Sequence, residues 1–186
     1  MLSHSGSSGE WYAFRVRPRH EKAASVQMRE QGRVEFLPLI RERRRWGNRV
    51  AHVDVPLFAG YIFCQAERST MYSILNLPAV VDVVRAGSHS LPADSQEIEG
   101  LKRAIDGNLH LEPWSYTEVG QTVCIQRGPL AGLRGIVVEV RQTQRLVLSV
   151  SLLRRSVLVE IDRDAIAIAD QPPTLLAYGQ AAAGSR

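Results

Sequence analysis

The spacing of apolar residues changes several times along the chain, and each change marks an element. Trp11–Arg17 alternates as a short strand until Pro18 breaks it. Arg19–Gln31 takes helical spacing, with Ala23, Ala24, Val26 and Met28 assigned to the inner side, and Gly32 stands where helices commonly stop. Strand character resumes over Val34–Ile40 and, beyond the basic stretch Arg41–Arg49, over Val50–Val55. The Gly47-Asn48 pair between them predicts a protruding hairpin. Leu57–Ala66 holds another strand, Met71–Leu77 a short helix ended by Pro78, Val80–Arg85 a strand, and Gly87–Pro92 a turn. Asp94 is placed to cap a helix over Ser95–Ile105, with Glu97 in the capping-box position and Ile98, Leu101 and Ile105 on one face. This mixed order predicts a sheet covered by helices.

Gly107–Glu118 keeps no period and reads as a linker. Beyond it, Val123–Leu158 carries Gly128, Gly132 and Gly135, then alternation in Ile136–Val140 and Leu146–Val150, which is the pattern of a small antiparallel barrel. The composition of 146–159 suits strand or helix, and its alternating valines favour strand. The predicted organisation is a disordered leader at 1–10, a first domain at 11–107, a linker at 108–118, a second domain at 119–170 and a Pro/Gly/Ala-rich disordered tail at 171–186.

Composition adds a direction. Lys and Arg number 23 against 19 Asp and Glu, a formal net charge of +4 that suits a polyanionic partner or simply a basic surface. The two cysteines, Cys64 and Cys124, lie apart in apolar runs and read as buried free thiols of a reducing compartment. No apolar run approaches the roughly 18 residues of a membrane span. His4, His20, His52, His89 and His110 are scattered, with none at ligand spacing from another or beside a cysteine. No phosphate-binding glycine loop or nucleophile elbow appears. The chain therefore reads as a binding module.

Three surfaces are candidates for that binding. Arg41, Arg43, Arg44, Arg45 and Arg49 crowd the hairpin with Trp46 among them: guanidinium groups fork onto phosphates, and an indole stacks on an unpaired base. The dull alternative is a solvated hairpin. Arg17, Arg19 and Lys22 extend the patch if the first helix begins near the hairpin root. Tyr61 and Phe63, with Phe58 nearby, share one face of a strand, and Ile62 and Cys64 share the other. Helices on the Ile62 side leave the aromatics free to dock an apolar partner; helices on the other side make them core. Leu152, Leu153, Arg154 and Arg155, between two barrel strands, fit either a protein-docking loop or an ordinary strand end.

Three segments in order, WYAFRVRPRHEK (Trp11–Lys22), VPLFAGYIF (Val55–Phe63) and VGQTVCIQRGPLAGLRGIVVEV (Val119–Val140), resemble the NusG family of transcription elongation factors. GPLAGLRG resembles its KOW motif. The resemblance implies an α+β chain: an N-terminal four-stranded antiparallel sheet with flanking helices (NGN-like), then a five-stranded SH3-like KOW barrel on a flexible linker. It implies a non-enzymatic cytoplasmic monomer without cofactor, metal or membrane partner. In the family the first domain binds the clamp helices of the largest RNA polymerase subunit, suppresses pausing and promotes processive elongation. Tyr61 and Phe63 match the docking aromatics, with Phe58 and Trp11 supporting. The hairpin lies near upstream DNA and the non-template strand, where Arg43, Arg44, Arg45 and Arg49 would meet phosphate. The KOW domain recruits Rho or a small-subunit ribosomal protein through a loop matching Leu152–Arg155. Leu153 and Arg154 stand where general NusG has an aromatic and a glycine, and Ala59 replaces a proline. The RPRHEK start and the RERRRW hairpin are similar to specialised paralogues that act as antiterminators on selected operons. The competing expectation is a ribosome-associated KOW protein that binds structured RNA.

Overall fold

The computed structural model describes residues 9–47, 49–114, 121–140, 143–160 and 166–168. The expected tail, and the leader up to residue 8, lie outside the described residues. In chain order the elements are β1 (Glu10–Val16), α1 (Glu21–Glu30), β2 (Glu35–Phe36), β3 (Leu39–Trp46), β4 (Arg49–Pro56), β5 (Tyr61–Ala66), α2 (Arg68–Leu75), β6 (Val80–Val83), β7 (Arg85–Ala86), β8 (His89–Ser90) and α3 (Ser95–Asp106). They continue with β9 (Leu111–Trp114), β10 (Gln121–Ile125), β11 (Arg134–Val140), β12 (Thr143–Val150), β13 (Arg155–Glu160) and β14 (Ile166–Ile168).

The first sheet is four-stranded and antiparallel, in the order β2-β5-β1-β6. Alternation along its two central strands sorts the interior into two clusters. Phe14 and Val16 of β1, with Ile62, Cys64 and Ala66 of β5, pack against Ala24 and Met28 of α1 and Ile74 of α2. Trp11, Ala13 and Phe63 point to the opposite face, against Ile98, Leu101 and Ala104 of α3. The second sheet runs β14-β10-β11-β12-β13-β9. Five of its strands match the expected SH3-like array. The sixth, β9, comes from the segment expected as linker: Leu111–Val159 and Glu112–Leu158 pairings attach it to β13. The 146–159 region forms β12 and β13, as its alternating valines predict.

Local departures from the sequence pattern have plain causes. In α1 the buried set is Glu21, Ala24, Ser25 and Met28. The stripe from Ala24 to Met28 is one helical repeat, and Val26, midway between them, falls on the exposed side. Pro38 separates β2 from β3, so Val34–Ile40 is not one strand. Asp94 caps α3, its Oδ1 accepting from the Gln96 N–H at 2.7 Å, but Glu97 does not close a capping box and its carboxylate turns to Ser151 instead. Cys64 is buried and unpaired, and burial pushes its thiol up to about 12, so it stays protonated.

Glu21 is the least expected interior residue. Its Oε1 accepts the Gly60 N–H at 2.8 Å and ties the start of α1 to the turn ahead of β5. Gly60 has φ +84°, a left-handed conformation that glycine adopts without strain. Glu21→Ala leaves that partly buried N–H without its acceptor, at a cost of about 1 kcal/mol, while Glu21→Gln keeps the acceptor. Thermal unfolding should show a lower midpoint for Glu21→Ala and recovery of most of the loss in Glu21→Gln. Equal losses would assign the effect to charge.

Candidate functional site

The aromatic face is covered. Relative exposure is 5% at Trp11, 2% at Phe58 and 0% at Phe63. Phe63 meets Phe58 edge-on at 6.1 Å and stacks on Phe36 at 6.2 Å. Lys102 of α3 places its ammonium 4.3 Å from the Trp11 ring centre and 5.6 Å from that of Phe36. Tyr61 is half-buried, with the Arg155 guanidinium 5.9 Å from its ring centre. The expectation of a free aromatic face is therefore corrected. Helices α1 and α2 do lie on the Ile62 side, but α3 and the second sheet occupy the other.

The covering surface is built for close approach. Leu130, Leu133, Leu148 and Val150 of the second unit join Trp11, Phe58, Phe63, Ile98 and Leu101 in one apolar cluster. A methyl group on Gly100 would lie 3.2 Å from Leu133 Cδ1, and one on Gly107 would lie 2.9 Å from Pro129 Cβ. Polar contacts fix the orientation: Arg103 Nη1 donates to the Ala131 carbonyl at 2.8 Å, and the Ser151 N–H and O–H donate to the Glu97 carboxylate at 3.0 and 2.5 Å. Leu152 and Leu153 pack half-buried against the same cluster, and Arg154 turns through a left-handed φ of 49°. The loop expected to recruit a partner thus lies against the unit that carries the aromatics. Glu97 and Ser151 carried no sequence signal for this contact; a capping pattern pointed Glu97 elsewhere.

A hairpin is present, but its first strand lies further along the chain than expected: residues 41–46, read as part of the basic connection, are themselves strand, and β3 pairs antiparallel with β4 from Leu39–Pro56 to Trp46–Arg49. Arg43, Arg44, Arg45 and Arg49 are exposed, and Trp46 is 55% exposed. Arg41 pairs with Asp54 at 3.7 Å, and Arg44 with Glu42 at 3.1 Å. Arg17 and Arg19 are exposed on the connection before α1. Lys22 lines a cleft with Leu39 at the root of β3, so of those three it is the residue placed beside the hairpin. Among the described residues no group of His, Cys, Asp and Glu is placed to hold a metal ion, and no helix is long and apolar enough to cross a membrane.

A family model described as transcription termination factor NusG matches residues 9–102, which spans the first sheet, α1, α2, the hairpin and the larger part of α3. The chain belongs to the NusG family. It is 25% identical over 174 residues to the transcription termination/antitermination protein NusG of Buchnera aphidicola, covering 86% of this chain and 96% of that protein. It is 30% identical over 111 residues to the protein of the same name from Pseudomonas aeruginosa, covering 56% of this chain and 62% of the relative. A solved structure of Thermotoga maritima NusG, described for its domain interaction, shares the fold at a TM-score of 0.51 and 18% identity over 86% of this chain and 96% of its own. This NusG-family chain is a transcription termination/antitermination factor.

The contact between the two units of this NusG-family factor carries a titratable group. Burial raises the Glu97 carboxyl above its ordinary value, more than the Ser151 hydrogen bonds lower it. The packed arrangement therefore holds the Glu97 proton more tightly than an open one would. That contribution to packing is fully present below the ordinary carboxylate pKa and is lost as pH rises through the raised one. As pH rises from the ordinary carboxylate range upward, packing of the two units followed by NMR should weaken in the native chain. The trend should flatten in Glu97→Gln; the same slope in both would remove Glu97 as its source.

Proposed function

We propose that this NusG-family factor binds RNA polymerase in the cytoplasm through the face bearing Trp11, Phe58, Tyr61 and Phe63, at the clamp helices of the largest subunit. There it suppresses pausing and promotes processive elongation, as an antiterminator of selected operons. The hairpin contacts upstream or non-template DNA, and the loop 152–155 engages Rho or a small-subunit ribosomal protein. The observation that supports this reading most is that loop 152–155 and the aromatic face occupy one another, with Arg155 over Tyr61 and Leu152 and Leu153 on the shared cluster. An apolar face that is rich in rings and needs a cover is a face suited to protein docking.

In this reading the second unit must leave before polymerase binds, and its departure frees both surfaces at once. Polymerase and the second partner then favour each other without touching. A closure preference of about 3 kcal/mol would leave the open form at roughly one part in 150 and weaken apparent affinity by that factor. Phe63, fully buried, belongs to the core of the first unit as well, and its truncation would cost about 3–5 kcal/mol of fold stability. Tyr61, at the edge of the contact, is the residue to vary.

Gly100 offers the converse probe, because it touches Leu133 and lies outside the aromatic face. Gly100→Leu should wedge the units apart and tighten binding to purified RNA polymerase about tenfold. Adding Tyr61→Ala to it should remove about 2 kcal/mol, roughly thirtyfold. Separated units with no gain in affinity would refute the proposal.

A further inference from the structure

The hairpin has two chemically different faces. In an antiparallel pair, residues directly opposite share a face, and neighbours along a strand alternate. The register therefore gathers Leu39, Arg41, Arg43 and Arg45 with Pro56, Asp54, His52 and Val50 on one side. It gathers Ile40, Glu42, Arg44 and Trp46 with Val55, Val53, Ala51 and Arg49 on the other. Toward the root burial follows the same division, while nearer the tip Arg44, Trp46, Arg49 and Ala51 of the second side are exposed as well. Glu42, Val53 and Val55 are half-buried and Ile40 packs on the apolar cluster, so this side turns toward the body and the covered aromatic face. Arg41, Arg43, Arg45, His52 and Asp54 are exposed. Leu39 lines the cleft with Lys22, Ser25 and Val26, so the exposed side is the one facing α1.

Charge is divided too. On the inner side Glu42 takes up Arg44 at 3.1 Å. On the α1 side Asp54 stands 3.7 Å from Arg41 at the root, while Arg43 and Arg45 have no carboxylate partner among the described residues. Arg45 is held by its own Nε donating to the Gly47 carbonyl at 2.9 Å, which leaves its terminal nitrogens outward. Successive arginines on one face of a strand stand about 7 Å apart, comparable to the step between phosphates along an extended single strand.

We propose that the hairpin holds one extended nucleic-acid strand along its α1-facing side, with Arg43 and Arg45 on successive phosphates, His52 beside them and Lys22 continuing the track at the root, and that Arg44 and Arg49 on the opposite side take no part. This rests on the reading that the hairpin contacts nucleic acid, and it adds which side, which residues and which form of strand. The track is open while the second unit covers the aromatic face, so strand binding and polymerase docking use different sides of the molecule and neither waits for the other.

The test uses the full chain and fluorescein-labelled oligothymidylate, oligouridylate and duplex DNA of equal length, titrated over a range of salt. Two variants remove the same number of charges: Arg43→Gln with Arg45→Gln, and Arg44→Gln with Arg49→Gln. All four residues are exposed, and unchanged thermal midpoints will show that the fold is kept. The first variant should lose roughly tenfold in affinity for whichever single strand binds, and its salt slope should fall by about 1.4, two contacts at about 0.7 each. The second should change affinity less than about threefold, as distant charges do under screening. Equal losses in both variants would overturn the one-sided track. Tighter binding of the duplex would overturn the extended strand. Wild type that binds neither a single strand nor the duplex would overturn both the track and the nucleic-acid reading beneath it.

Discussion

The fold depends on one shared apolar cluster. Phe63, Phe58 and Trp11 cannot stand in water without cost, each burying a large ring surface, and a four-stranded sheet has two faces to cover with only α1 and α2 on one of them. The second face is closed by α3 and then by Leu133, Leu148 and Val150 from the other unit. Gly100 and Gly107 let the two surfaces approach, and Glu97 with Ser151 and Arg103 with Ala131 fix their orientation. A partner that presents comparable apolar surface to the rings offsets the loss of the first cover.

The chain separates its chemistries by using both sides of its strands. The period of two that sends Ile62 and Cys64 to the helices sends Tyr61 and Phe63 to the opposite cover. The same period in the hairpin turns Arg43 and Arg45 outward beside α1 and keeps Glu42 with Arg44 on the inner side. Ring-bearing and cationic surfaces therefore do not compete for space.

Much of this was legible in the sequence because it is written in local periodicity. β1, β5, α3 with its Asp94 cap, a hairpin turning near Gly47, and β11, β12 and β13 of the C-terminal sheet follow from spacing and turn chemistry over a few residues. The pairing of Tyr61 with Phe63 on one face was equally plain. What covers that face was not, because no local pattern encodes a contact between residues as distant as Tyr61 and Arg155 or Gly100 and Leu133. Glu21 shows the same limit: a charged residue in a first helical turn looks solvated until the distant Gly60 N–H arrives to claim it. β9 was hidden in Gly107–Glu118 because its pairing with β13 is a long-range choice made by Leu111 and Glu112 without a strand signature of their own.

The central claim, that the aromatic face must be uncovered for polymerase to bind, is tested most directly by measuring the separation of the two units on and off the polymerase. Spin labels at the exposed positions Glu99 on α3 and Arg134 on β11, with Cys64 and Cys124 replaced, report that distance by pulsed electron paramagnetic resonance. The account predicts a short, narrow distribution in the free protein and a long, broad one when polymerase is saturating. A short distance retained in the fully bound complex would contradict it.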